Sequence, residues 1–229
     1  DDTIAPAVAA LFSGVANIST DMTAAYALGT GSVIDSSGSS YGQDEEGASV
    51  DTAYSLDVAS VGVDSGLDTT DGTSIYLYKE GDLVVGRIGG VEGDAAFAIS
   101  IDEDTGVLSV AQYASIWHDE PATMTGDPAD IISYDESVSI TNGSLLGTVT
   151  VTDGDGDVKT DSVAIGGTVS FQDDGPTADA ALGAGSVSHD ETAGVDGDAD
   201  DTIAPAVAAL FSGVANISTD MTAAYALGT

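Results

Sequence analysis

The chain has 229 residues, with 39 Asp and Glu against 3 Lys and Arg, a formal net charge of -36, and no cysteine. That balance excludes nucleic-acid binding, which needs a basic footprint, and disfavours anionic membrane surfaces. The missing cysteines exclude a disulfide framework, a thiolate zinc site and a cysteine nucleophile.

In chain order, Pro6–Val15 predicts a short helix, with Pro6 in its first turn and Gly14 near its end. Residues 31–53 are rich in Ser, Gly and acid and read as loop. From Tyr54 the pattern changes to strands. Tyr54–Val58 alternates, Ser74–Tyr78 and Leu83–Ile88 flank the turn Lys79-Glu80-Gly81-Asp82, and Ala96–Ile101 and Val107–Tyr113 flank Asp102–Gly106. Residues 118–130 read as a polar loop. Ser137–Thr141, Leu145–Thr152, Val158–Ile165 and Thr168–Phe171 then read as further strands. Many short strands with close turn signals predict an all-β fold, an antiparallel β-sandwich with a short helix and acidic calcium-binding loops. Gln172–Ser186, containing Asp173-Asp174-Gly175-Pro176, reads as a junction.

Asp1–Thr30 recurs letter for letter as Asp200–Thr229. The simplest account is a window on a tandem array, with one full period and the opening of the next. The expected organisation is an opening segment cut at its N-terminus (1–30), the main sandwich (31–172), a junction with the start of the next repeat (173–199) and the second copy of the opening segment (200–229). The two copies are expected to occupy different environments despite their identity.

Hydrophobic residues make up 42% of the chain, which sets it apart from a disordered acidic tail. Its compact state must overcome strong self-repulsion, and only Lys79, Arg87 and Lys159 oppose the carboxylates. Divalent cations answer that need, and oxygen-only ligands select calcium. A halophilic or simply very soluble surface is the alternative. Asp153-Gly154-Asp155-Gly156-Asp157 sits between two strong strands. Alternating Asp can turn several carboxylates onto one ion, and Gly supplies the backbone freedom; an ordinary acidic hairpin turn is the other reading. Asp173 and Asp174 are placed to share an ion with loops of a neighbouring unit such as Asp190 and Glu191. Asp196 and Asp198 repeat the alternating spacing, in what otherwise reads as an acidic linker.

Catalytic readings have little to stand on. His118 and His189 lie in no nucleophile or zinc motif, and the chain has no GxSxG, P-loop, GxGxxG or HExxH. The expectation is that the protein is not an enzyme. Trp117 reads as a core or edge anchor, with a sugar platform as the alternative.

Thr148–Asp179 (TVTVTDGDGDVKTDSVAIGGTVSFQDDGPTAD) resembles the closing part of the repeats in giant bacterial RTX adhesins. Ser65–Gly90, Phe97–Tyr113 and His189–Gly194 (HDETAG) are similar to other blocks of that repeat type. The nonapeptide GGxGxDxUx that names the class is absent, which fits an extender and not the calcium-roll portion. The resemblance implies an Ig-like sandwich, export by type I secretion and an extracellular place at the bacterial cell surface. It further implies a role as an extender in adhesion or biofilm formation, stiffened by calcium. The implied partners are neighbouring repeats in a head-to-tail array, without membrane insertion, and other regions of the protein bind the adhesive target. The alternative is a module that itself binds glycan or a partner cell.

Overall fold

A computed structural model of the chain describes residues 6–47, 50–118, 137–174, 179–186 and 205–217. The chain divides into two compact units, Asp1–Pro176 and Thr177–Thr229.

The first unit opens with helix α1 (Pro6–Leu11) and strand β1 (Ala25–Ser32). It continues through β2 (Asp51–Val58), β3 (Val63–Asp68), β4 (Ser74–Glu80), β5 (Leu83–Ile88), β6 (Ala95–Ile101) and β7 (Val107–Gln112). It closes with β8 (Ser137–Ser139), β9 (Leu145–Thr152), β10 (Val158–Ala164), a 3-10 turn (Gly166–Thr168) and β11 (Ser170–Gln172). The fold is an all-β sandwich of antiparallel sheets. One sheet runs β1-β7-β6-β5-β4-β3, a second β10-β9-β2, and β11 pairs with β8.

Side-chain size sorts the two faces of the six-stranded sheet. β6 (AAFAISI) is buried along nearly its whole length, as a strand covered on both sides must be. Phe97 and Ile99 join Leu56, Ile75, Leu77 and Leu145 in the core between the sheets. On the other face Ala95, Ala98 and Ala111 lie with Val85 and Tyr113 beneath Val8 and Phe12 of the opening segment. Alanines there leave room for a helix to approach, and the helix removes their apolar surface from water.

Phe97 is fully buried, its ring centroid 5.0 Å from that of Phe171. Gly86 faces it across the β5–β6 pair, Gly86 opposite Phe97, and a Cβ there would lie 2.4 Å from the Phe97 ring. Phe97→Ala is expected to cost about 3–5 kcal/mol, read as a lower denaturation midpoint with an unchanged slope.

Both expected hairpin turns form around glycines in left-handed backbone, Gly81 at φ 66° and Gly106 at φ 69°. Asp102 closes the second by accepting from the Thr105 N–H at 2.8 Å and the Thr105 hydroxyl at 2.6 Å. Two strands have no counterpart in the sequence reading. β1 (AYALGTGS) is an exposed edge strand, held by its backbone register to β7, so apolar alternation never marks it. β3 is interrupted by Gly66 at φ 77° and a register shift between Asp64 and Asp68. The expected helix over 6–15 is shorter, and its last residues continue as turns such as Val15 N–H to Phe12 O at 3.1 Å.

In the second unit the described residues include helix α2 (Pro205–Leu210), the sequence counterpart of α1. Its local structure repeats that of the first copy. The Ser13 hydroxyl donates to Ala10 O at 2.8 Å and that of Ser212 to Ala209 O at 2.9 Å. Asn17 and Asn216 both adopt left-handed backbone, at φ 51° and 57°, a conformation Asn tolerates better than most residues. Burial differs: Phe12 is 4% exposed and Phe211 47%.

Candidate metal centre

The Asp153–Asp157 tip joins β9 to β10, whose last rungs pair Thr152 with Val158. On its other side β9 pairs with β2, and Thr152 is opposite Asp51. The segment entering β2 is thereby brought to the hairpin tip. There the Gly154 N–H donates to Asp44 O at 2.8 Å. One carboxylate oxygen from each of Asp44, Asp153 and Asp155 lies within 4.8 Å of the other two. Asp153 is half-buried, and Asp44 and Asp155 are exposed.

The tip is a built turn. Asp153 Oδ1 accepts from Gly156 N–H at 3.1 Å and from Asp157 N–H at 2.8 Å, and Asp153 N–H donates to Asp157 O at 3.1 Å. Gly156 sits at φ 96°, where a side chain would be strained. Gly154 is required for a different reason. A Cβ on it would lie 2.2 Å from Glu46 O and 2.8 Å from Asp44 O, so the two loops meet backbone to backbone.

The carboxyls respond to this crowding in opposite directions. A hydrogen bond between Asp153 and Asp155 holds Asp153 below the ordinary carboxylate range, helped by backbone N–H groups of the turn. The same bond pushes Asp155 up, and the charges of Asp153, Asp157 and Asp44 push it further. Carboxylates that crowd one another in this way are where a cation would relieve the repulsion. Other loop carboxylates are settled by their own turns. Asp71 is held down by hydrogen bonds from Thr69 and Thr73, and Asp102 by those from Thr105.

The donor set fits a hard cation. It is all oxygen, partly open to solvent and contributed by two loops, and calcium accepts mixed carboxylate, carbonyl and water ligation. Asp44, Asp153 and Asp155 would hold the ion, which would supply positive charge and a cross-link between the loops. Gly154→Ala should weaken calcium binding by an order of magnitude or more while leaving every carboxylate in place, because the added methyl drives the Asp44 loop from the hairpin. Isothermal titration against the parent chain checks this.

Of the residues singled out in sequence, Asp153 and Asp155 fall in the cluster together. Asp157 closes the turn through its backbone and acts on Asp155 by charge. Asp173 lies elsewhere, its Oδ1 3.5 Å from Nδ1 of the buried His118 ring, whose Nε2 is 3.2 Å from Phe171 O. Asp174 is exposed. Asp190, Glu191, Asp196 and Asp198, with His189 and most of the 118–130 loop, lie outside the described residues. Trp117 is 51% exposed, and its backbone N–H donates to Asp68 O at 2.8 Å.

Asp44 is the member that sequence reasoning missed. It lies in a Ser, Gly and acid-rich stretch with no alternating spacing. Only the β2–β9 pairing, which no local pattern specifies, brings it to Asp153.

Among the described residues no helix is long and apolar enough to cross a membrane. No curated protein and no solved structure matches the chain. Residues 4–166, most of its length, match a family described as Domain of unknown function (DUF5801). The chain therefore belongs to the DUF5801 family.

Proposed function

We propose that the protein is a structural extender module of a bacterial cell-surface adhesin, rigidified by calcium and without catalytic activity. In this reading it is exported by type I secretion, joins neighbouring repeats head to tail and holds a distal ligand-binding region away from the cell for adhesion or biofilm formation. The observation that carries the reading is the convergence of Asp44, Asp153 and Asp155 from two loops at one end of the β2–β9–β10 sheet. The loops already meet there through the Gly154 N–H to Asp44 O bond, and a calcium ion would offset the repulsion among their carboxylates. The duplicated opening segment and the resemblance of Thr148–Asp179 to adhesin repeats support the array. Asp173 and Asp174 remain candidates for calcium at the junction, together with Asp190, Glu191, Asp196 and Asp198.

Small-angle scattering on a chain of two or three repeats tests this. Calcium should lengthen the maximum dimension and stiffen the particle, and chelator should reverse both. Identical profiles in the two conditions would sink the reading.

The exposed indole of Trp117 favours a second reading, in which the module itself binds glycan. A glycan-array hit that disappears with Trp117→Ala would favour recognition over spacing.

A further inference from the structure

Among the described residues, Nδ1 of His118 is the one buried side-chain nitrogen or oxygen without a hydrogen-bond partner. The segment that carries the ring is fixed beside the end of β3. Ile116 bridges Thr69, and the Trp117 backbone N–H donates to Asp68 O at 2.8 Å. The imidazole is 6% exposed and reaches β11, where Nε2 lies 3.2 Å from Phe171 O. A carbonyl oxygen only accepts, so Nε2 carries the ring proton, and Nδ1 of the neutral ring presents a lone pair. That lone pair faces Asp173 Oδ1 at 3.5 Å. Two acceptors thus meet with no donor between them, an arrangement that costs free energy unless a cation joins them.

We infer that His118 Nδ1 and Asp173 Oδ1 are the protein ligands of a site for a divalent ion of the zinc class. Three features point to that ion. An imidazole nitrogen suits zinc, copper or nickel, whereas calcium takes oxygen. Two ligands on a tetrahedral zinc with bonds of about 2.0–2.1 Å stand roughly 3.3–3.4 Å apart, close to the separation of the two atoms here. A direct charge-assisted hydrogen bond would instead draw them to about 2.7–2.9 Å. Finally, a ligating histidine commonly donates its other ring N–H to a carbonyl or carboxylate, as Nε2 does to Phe171 O.

The Asp173 side chain is 33% exposed, so water can complete the coordination sphere. The ion would clasp the segment that follows β7 to the end of β11. The inference assigns Asp173 to an ion other than calcium, and it does not depend on the Asp44, Asp153 and Asp155 centre.

Isothermal titration of zinc chloride into the chain tests this, in excess calcium so that acidic loops are already engaged. The parent chain should bind one zinc ion. His118→Ala and Asp173→Asn should each weaken that binding by roughly tenfold or more, and His189→Ala, at the other histidine of the chain, should not. A parent chain that binds no zinc, or a His118→Ala chain that binds it as the parent does, overturns the inference. A second readout needs no variant to fold. In the imidazole nitrogen NMR spectrum of the parent chain, zinc should shift Nδ1 of His118 while Nε2 keeps its proton. Zinc that leaves the His118 nitrogens unmoved overturns the inference.

Discussion

Calcium is expected to raise the melting temperature of the chain by roughly 5 °C at millimolar concentration, the increment a weak extracellular-type site gives a domain of this size. Replacing Asp44, Asp153 and Asp155 together by Asn should remove that increment. The calcium-free behaviour separates a metal centre from a simple acidic turn. Asp155 is pushed up by Asp153, Asp157 and Asp44, so Asp155→Asn alone relieves repulsion and should leave the melting temperature in chelator unchanged or higher. Loss of the calcium increment without loss of calcium-free stability is the expected signature. It is read by calorimetry on parent and variants in calcium and in chelator. An undiminished increment in the triple variant would place the calcium effect elsewhere in the chain.

The second large effect is expected at Glu80. Arg87 is the only arginine of the chain, and it is 5% exposed. Its Nε donates to Glu80 Oε1 and its Nη2 to Glu80 Oε2, both at 2.7 Å. Its Nη1 donates to Ala16 O and Gly93 O, both at 3.1 Å. One of the three basic residues is thus spent inside, binding the opening segment to the sheet, and relieves little surface repulsion. Glu80→Ala leaves a buried guanidinium without its carboxylate and should cost roughly 3 kcal/mol, about 9 °C for a domain of this size. Arg87→Ala should instead loosen the opening segment, because Ala16 O loses its donor. Amide exchange over residues 12–19 should rise more in Arg87→Ala than in Glu80→Ala. Equal exchange in the two variants would deny Arg87 this anchoring role.

Much of the sandwich was legible in sequence where a strand buries one face and its turn needs a particular residue. Leu83–Ile88 and Leu145–Thr152 begin and end where the apolar pattern does. The pattern failed where burial does not alternate. β1 is an edge strand whose side chains face mostly water, held by backbone pairing with β7 and by Tyr26, which stacks on Phe12. The candidate site divides in the same way. Asp153 and Asp155 are two residues apart, so a turn that needs Gly156 brings them together by itself. Asp44 joins them only because Asp51 pairs with Thr152, a contact between strands distant in the chain.

The duplicated segment separates the two kinds of information directly. A helix from the same proline to the same leucine, the hydroxyl bonds of Ser13 and Ser212 and the left-handed Asn17 and Asn216 arise in both copies. These are short-range interactions, and identical residues make them wherever they stand. Whether Phe12 or Phe211, Val15 or Val214, is removed from water is decided by what lies against them. Apolar burial is a relation between surfaces, so it belongs to the tertiary structure. The sequence alone set the local shape of each copy, and the sheet face packed against Val8 and Phe12 buried the first.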